Sequence, residues 1–141
     1  MRFSDADIAR IYDRTSGKCH LCHKKLALTN YGRFGERGAW EVEHSRARAR
    51  GGSDRLTNLY AACISCNRSK GIVPTRTARR RNGLRKAPLS TSKRRTEKRW
   101  NAVGGAALGA VAGGFLLGPV GAYVGAVLLG SAMHDRDPDK T

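Results

Sequence analysis

Two Cys-x-x-Cys pairs, Cys19/Cys22 and Cys63/Cys66, constrain this chain more than any other feature. The chain holds four cysteines in all, and four thiolates from two such knuckles make a closed tetrahedral site. No coordination position is left for water, so the expected ion, zinc, is structural. Met1 to Arg14 is charged and amphipathic, with no apolar leader. That opening is expected of a chain in a reducing compartment, where paired thiols bind metal more often than they form disulfides. His20 and His23 flank the first pair, and either is able to replace a thiolate.

A structural metal also answers a shortage. The apolar inventory of residues 1–75 is thin, and a domain of that size rarely holds together on its core alone. Ser4-Asp5-Ala6-Asp7 reads as a helix start, with Ser4 able to cap and the acids suited to the positive end of the dipole. Ile8, Ile11 and Tyr12 then share one helical face, and Gly17 ends the element. Trp40-Glu41-Val42-Glu43 alternates as a half-buried strand does. Ser45 to Thr57 is basic and contains Gly51-Gly52, so it reads as a loop. Leu56, Leu59 and Tyr60 return to core character. Ile64 to Lys70 is a short helix stopped by Gly71 and Pro74.

The net charge is +16, a footprint for polyanions: nucleic acid first, anionic lipid second. It is spread unevenly. Residues 1–75 hold 14 Lys/Arg against 7 Asp/Glu, and residues 76–99 hold 11 against the single Glu97. That second stretch reads as a basic, mostly disordered linker. Residues 100–134 hold no Lys, Arg, Asp or Glu.

Trp40-Glu41-Val42-Glu43-His44, then Gly51-Gly52, Asn58-Leu59 and Cys63-Ile64-Ser65-Cys66-Asn67-Arg68-Ser69-Lys70-Gly71, resemble the HNH endonucleases of the four-cysteine, zinc-containing subgroup. The resemblance covers roughly residues 3–75. It implies an α+β, zinc-stapled ββα-metal domain that hydrolyses DNA phosphodiesters, leaving 5′-phosphate and 3′-hydroxyl ends. It assigns His44 as general base, and imidazole as a class suits that task because it titrates near neutral pH. It gives Glu43 and Asn67 to a divalent ion beside the leaving oxygen, where a Lewis acid stabilises developing charge. It gives Asn58 the bracing of the loop that orients the base. The family more often has Asp at the position of Glu43, and many members have His at that of Asn67. The oxygen-only pair favours Mg²⁺ or Mn²⁺. Arg46, Arg48 and Arg50 alternate after His44, so in an extended segment they point one way, toward phosphates; Arg68 and Lys70 are placed to do the same.

Residues 102–133 are Ala, Val, Leu and Gly in the main, with nine glycines. Gly105, Gly109 and Gly113 are spaced by four, as are Gly114 and Gly118, and Gly121 and Gly125, a pattern that resembles glycine-zipper membrane segments. The expectation is a membrane-associated helical segment over 100–134, either one tilted span or a hairpin turned at Gly118-Pro119, with contacts between copies through its glycines. Trp100 suits the interfacial belt and Lys98-Arg99 the headgroups. The polar tail 135–141 carries little positive charge, which places the nuclease domain on the cytoplasmic face of the membrane; a wholly cytoplasmic chain is the alternative. Two functions follow: a metal-dependent DNA endonuclease tethered at a membrane, or a non-catalytic, zinc-dependent DNA-binding module anchored there.

Overall fold

The computed structural model describes residues 3–134, without the side chains of 109, 113–118 and 121. The polar tail 135–141, and the packing at Gly109, Gly113, Gly114, Gly118 and Gly121, lie outside the described residues. The chain divides into two compact units, Met1–Thr91 and Ser92–Thr141.

The first unit opens with helix α1 (Asp5–Asp13). Ser4 caps it, its Oγ accepting from the Asp7 N–H, which satisfies one of the donors a helix start leaves over. Ile11 is fully buried, and Ile8 and Tyr12 pack against the same core. Full burial of a side chain like Ile11 stabilises by about 2–3 kcal/mol. Strands β1 (Trp40–His44) and β2 (Leu59–Cys63) pair antiparallel, with Trp40 opposite Cys63 and His44 opposite Leu59. Helix α2 (Ile64–Lys70) starts directly after β2. This is a small α+β domain in which a two-stranded sheet and a helix follow one another in the ββα order.

Trp40 anchors the core. It is completely buried, its ring lies 5.4 Å from that of Tyr12 and 5.0 Å from that of Tyr31, and its Nε1 donates to the Ala27 carbonyl. Leu21, Leu26, Leu59, Ala61 and Ala62 complete the buried cluster, together with Cys19.

The basic stretch 76–99 is not a disordered linker. Helix α3 (Thr75–Arg80) occupies its start, with Ala78 buried in the core cluster. Residues beyond α3 stay tied to the first unit: Leu89 accepts from the Ser16 hydroxyl, and Thr91 donates to the Asp13 carbonyl. Charge density hid this, because one small apolar residue and a few backbone acceptors are enough to seat a segment that has almost no core of its own.

The long element α4 (Thr91–His134) reverses on itself. In a straight helix Gly105 and Leu129 would stand roughly 36 Å apart. Instead a Cβ on Gly105 would collide with the Leu129 carbonyl and lie 2.8 Å from Met133 Sδ, while one on Gly130 would lie 3.4 Å from Ala106 Cβ. His134 Nδ1 lies 3.3 Å from the Lys98 carbonyl. Residues 102–133 are therefore helical and form a hairpin. The hairpin was one of the two forms expected of this segment, and among the described residues no helix is long and apolar enough to cross a membrane. The close approach at Gly105 and Gly130 is made between the two arms of one hairpin.

Candidate metal centre and active site

The two cysteine knuckles meet because the sheet register brings them together. Cys63 ends β2 and Cys66 lies in the first turn of α2, while Cys19 and Cys22 sit on the turn after α1. The His20 N–H donates to the Ala61 carbonyl and fastens that turn to β2. His23 takes the left-handed conformation at φ 60° and closes the turn through a 2.9 Å bond from its N–H to the Cys19 carbonyl. The four Sγ atoms lie within 4.8 Å of one another, with Cys22–Cys63 and Cys19–Cys63 both at 3.7 Å. Thiolates about 2.3 Å from a central zinc stand about 3.8 Å apart at the corners of a tetrahedron. The spacing is far too long for a disulfide.

The acidity of these thiols tells the same story. Hydrogen bonds from Cys19 and Cys22 pull Cys63 well below the ordinary thiol range. Contacts with Cys22 and Cys63 push Cys19 up, and burial pushes Cys66 up to about 12. Thiols this close oppose one another's ionisation, and a dication among them would let all four ionise. The four cysteines are therefore placed to hold a metal ion such as zinc.

Neither neighbouring histidine replaces a thiolate. His23 Nε2 lies 3.1 Å from the Lys86 carbonyl. His20 is fully buried, stacked on Tyr60 at 4.9 Å, and turned toward β1. Its Nε2 stands 2.6 Å from Glu43 Oε2, close but not aligned as a hydrogen bond. Arg79 of α3 donates through Nε to the His20 carbonyl at 2.8 Å, and its Nη2 lies 3.0 Å from Nδ1. Guanidinium has no acceptor, so Nδ1 accepts and the imidazole proton sits on Nε2, facing Glu43. Burial outweighs the opposing pull of Glu43 and, with the nearby Arg79 and Lys70 cations, lowers the His20 pKa. Arg79→Ala removes this clamp and is expected to destabilise the first unit by about 1–3 kcal/mol; a thermal midpoint equal to that of the wild type would contradict it.

Glu43 is 1 % exposed. Its Oε1 pairs with Lys70 Nζ at 2.6 Å, and Lys70, itself 2 % exposed, also donates to the His44 carbonyl. Burial works to raise the Glu43 pKa, but His20 and Lys70 outweigh it and hold the carboxyl below its ordinary value. Lys70 is therefore not a surface contact for phosphate, as its charge suggested. On α2 it falls on the face that packs against β1, where its cation neutralises the buried carboxylate. Asn67, one turn earlier, donates instead to Glu41 Oε1 at 2.9 Å. Glu43 and Asn67 thus do not present a joint open site to a divalent ion, because both oxygens of Glu43 face protein groups. Arg68 lies over the Phe34 ring at 4.7 Å.

His44 ends β1, its side chain 15 % exposed. The loop from Ser45 to Thr57 is drawn tight by Asn58. Its Oδ1 accepts from the Arg46 N–H at 2.7 Å, and its Nδ2 donates to the carbonyls of Arg46 and Ser53 at 3.0 and 2.8 Å. Gly52 permits this closure, since a Cβ there would run into the Arg46 carbonyl. The arginines are consequently not strung along an extended segment. Arg48–Arg50 is a single 3₁₀ turn, Arg46 Nε donates to the Arg50 carbonyl, and Arg48 pairs with Asp54. All three remain exposed on the loop.

Three residues here escaped sequence reasoning, Glu41, Asp54 and Arg79, and His20 was read for the metal rather than for Glu43. Asp54 carried a usable signal, being the sole acid between Glu43 and Glu97 in a strongly basic stretch. The others carried none, because their roles depend on which elements pack together.

No curated protein and no solved structure matches the chain. Residues 19–72, which take in both cysteine pairs, both strands and α2, match the HNH endonuclease family, and that match gives the segment a nuclease or DNA-binding character.

Proposed function

We propose that the first unit is a DNA endonuclease that uses His44 as its general base. The observation that carries this reading is the placement of His44: a partly exposed imidazole at the end of a strand, held by β2 pairing, by Lys70 on its carbonyl and by the Asn58-braced loop. A base fixed on a rigid element can meet a water at a defined angle. The water gives its proton to His44 as its oxygen bonds to phosphorus. The bond from phosphorus to the 3′ oxygen breaks, and that oxygen leaves as a hydroxyl after taking a proton from solvent. Arg46, Arg48 and Arg50, on the adjoining loop, supply positive charge for the DNA backbone. The family resemblance adds Mg²⁺ or Mn²⁺ as the usual cation, but the arrangement of Glu43 and Asn67 does not fit it, so the steps above rest on His44 and the basic loop.

The burial of Glu43 favours a second reading, a metal-stapled DNA-binding module without catalysis. Plasmid nicking separates the two. The full-length protein is incubated with supercoiled DNA with and without added Mg²⁺ or Mn²⁺. The expected result is nicking by the wild type and its loss in His44→Ala, with DNA affinity retained. Binding by the wild type with no nicking under any of these conditions would leave only the second reading.

A further inference from the structure

We propose that Asp54 is a positioning residue for the general base: its carboxylate orients the His44 imidazole and holds the proton on Nε2, and Arg48 fixes Asp54 in turn. This rests on the reading of His44 as the base and deepens it. Asp54 Oδ1 lies 2.6 Å from His44 Nε2. The same oxygen accepts from Arg48 Nε at 2.9 Å and from Nη2 at 2.7 Å. Arg48 Nε also lies 3.2 Å from His44 Nε2, but the shorter contact to a charged acceptor takes its proton. Both guanidinium donors of Arg48 and the imidazole N–H then converge on one oxygen, and the imidazole lone pair is left on Nδ1. A base must present its lone pair, not its proton, to the attacking water, and the hydrogen bond at one ring nitrogen decides which nitrogen that is.

The placement argues against a merely electrostatic role. A carboxylate in a loop carrying Arg46, Arg48, Arg50 and Arg55 works against binding a polyanion. Its contacts with His44 and Arg48 hold the Asp54 carboxyl below its ordinary value, so it stays ionised as an acceptor. In a Ser-His-Asp triad an Asn in place of the orienting carboxylate lowers kcat by about 10⁴-fold through the wrong tautomer. The Asp54 side chain is 35 % exposed, more open than the buried acid of such a triad, and the corresponding expectation is about 10²-fold.

The test uses the full chain with zinc bound. Single-turnover cleavage at saturating DNA, and DNA affinity, are measured for the wild type, Asp54→Asn, Asp54→Glu, His44→Ala and the Asp54→Asn/His44→Ala double variant. Asp54→Asn is expected to slow cleavage about 10²-fold with affinity unchanged or tighter. Asp54→Glu, which keeps a carboxylate, is expected to recover part of the rate. In the His44→Ala background Asp54→Asn is expected to change nothing further, because it acts through the imidazole. Nitrogen NMR of the wild type, which needs no variant to fold, is expected to show the Nε2-protonated tautomer of His44. A wild-type rate in Asp54→Asn, a faster one as Arg48 is released to phosphate, or an Nδ1-protonated His44 would each overturn the proposal. Full activity in His44→Ala would instead overturn the general-base reading itself, and the two failures are thereby distinct.

Discussion

Cys63→Ser is expected to unfold the first unit outright, and a strong chelator is expected to do the same to the wild type. Cys63 is central to the cluster, with Cys19 and Cys22 each 3.7 Å away. Serine replaces a soft thiolate with a hydroxyl that zinc binds weakly. The apparent free energy of a structural zinc in small domains is about 10–16 kcal/mol at neutral pH, whereas a whole domain is stable by about 5–15 kcal/mol. The core here is one tryptophan, one isoleucine, three leucines and three alanines besides Cys19, so it has little to set against that loss. Near-ultraviolet circular dichroism reads the packing of Trp40, and metal analysis reads the occupancy. A Cys63→Ser protein with native tertiary signal and an unchanged thermal midpoint would exclude a shared four-cysteine site.

Glu43→Gln is expected to destabilise the first unit by about 3–5 kcal/mol, because it leaves the Lys70 cation buried without its counter-charge. Replacing both partners, Glu43→Leu with Lys70→Met, is expected to recover much of the loss, since burying two charges is itself costly. The pH dependence follows from the lowered carboxyl pKa. A group depressed in the folded state contributes its stability above its unfolded value, about 4.3 for Glu, and loses it as pH falls toward the folded value. The gap between wild type and variant is therefore full at neutral pH and narrows below about pH 4.3. Denaturant unfolding at several pH values checks both points. A Gln variant as stable as the wild type at neutral pH would return Glu43 to the role of an exposed metal ligand.

Local signals carried much of the first unit. Ser4 and the Ile8/Ile11/Tyr12 face mark α1, the alternation after Trp40 marks β1, and Gly71 marks the end of α2, all from propensity and period. The cysteine spacing marks the metal centre because ligand geometry leaves few other uses for two such pairs. Charge was a poorer guide. Lys70 and Arg79 sit in basic runs that read as surface, yet both reach inward to the Glu43 and His20 cluster. A long basic side chain can bury its charge wherever a partner waits, and a sequence does not show the partner.

By itself, the sequence determined the order of elements from α1 to α2, the four thiols placed to hold a metal and the position of His44 at the end of a strand. Each of these follows from interactions between residues a few places apart, or from a ligand set with one geometry. Only the tertiary structure decided which carboxylate is buried and which faces His44. Glu43 and Asp54 look alike in a list of acids. The packing of α2 and α3 against β1 covers the first with Lys70 and His20, and the Asn58-tightened loop carries the second to His44. The same holds at the other end of the chain, where glycines spaced for contact with another helix meet the returning arm of their own. Sequence spacing sets which face a small residue occupies; the reversal of the chain decides what approaches it.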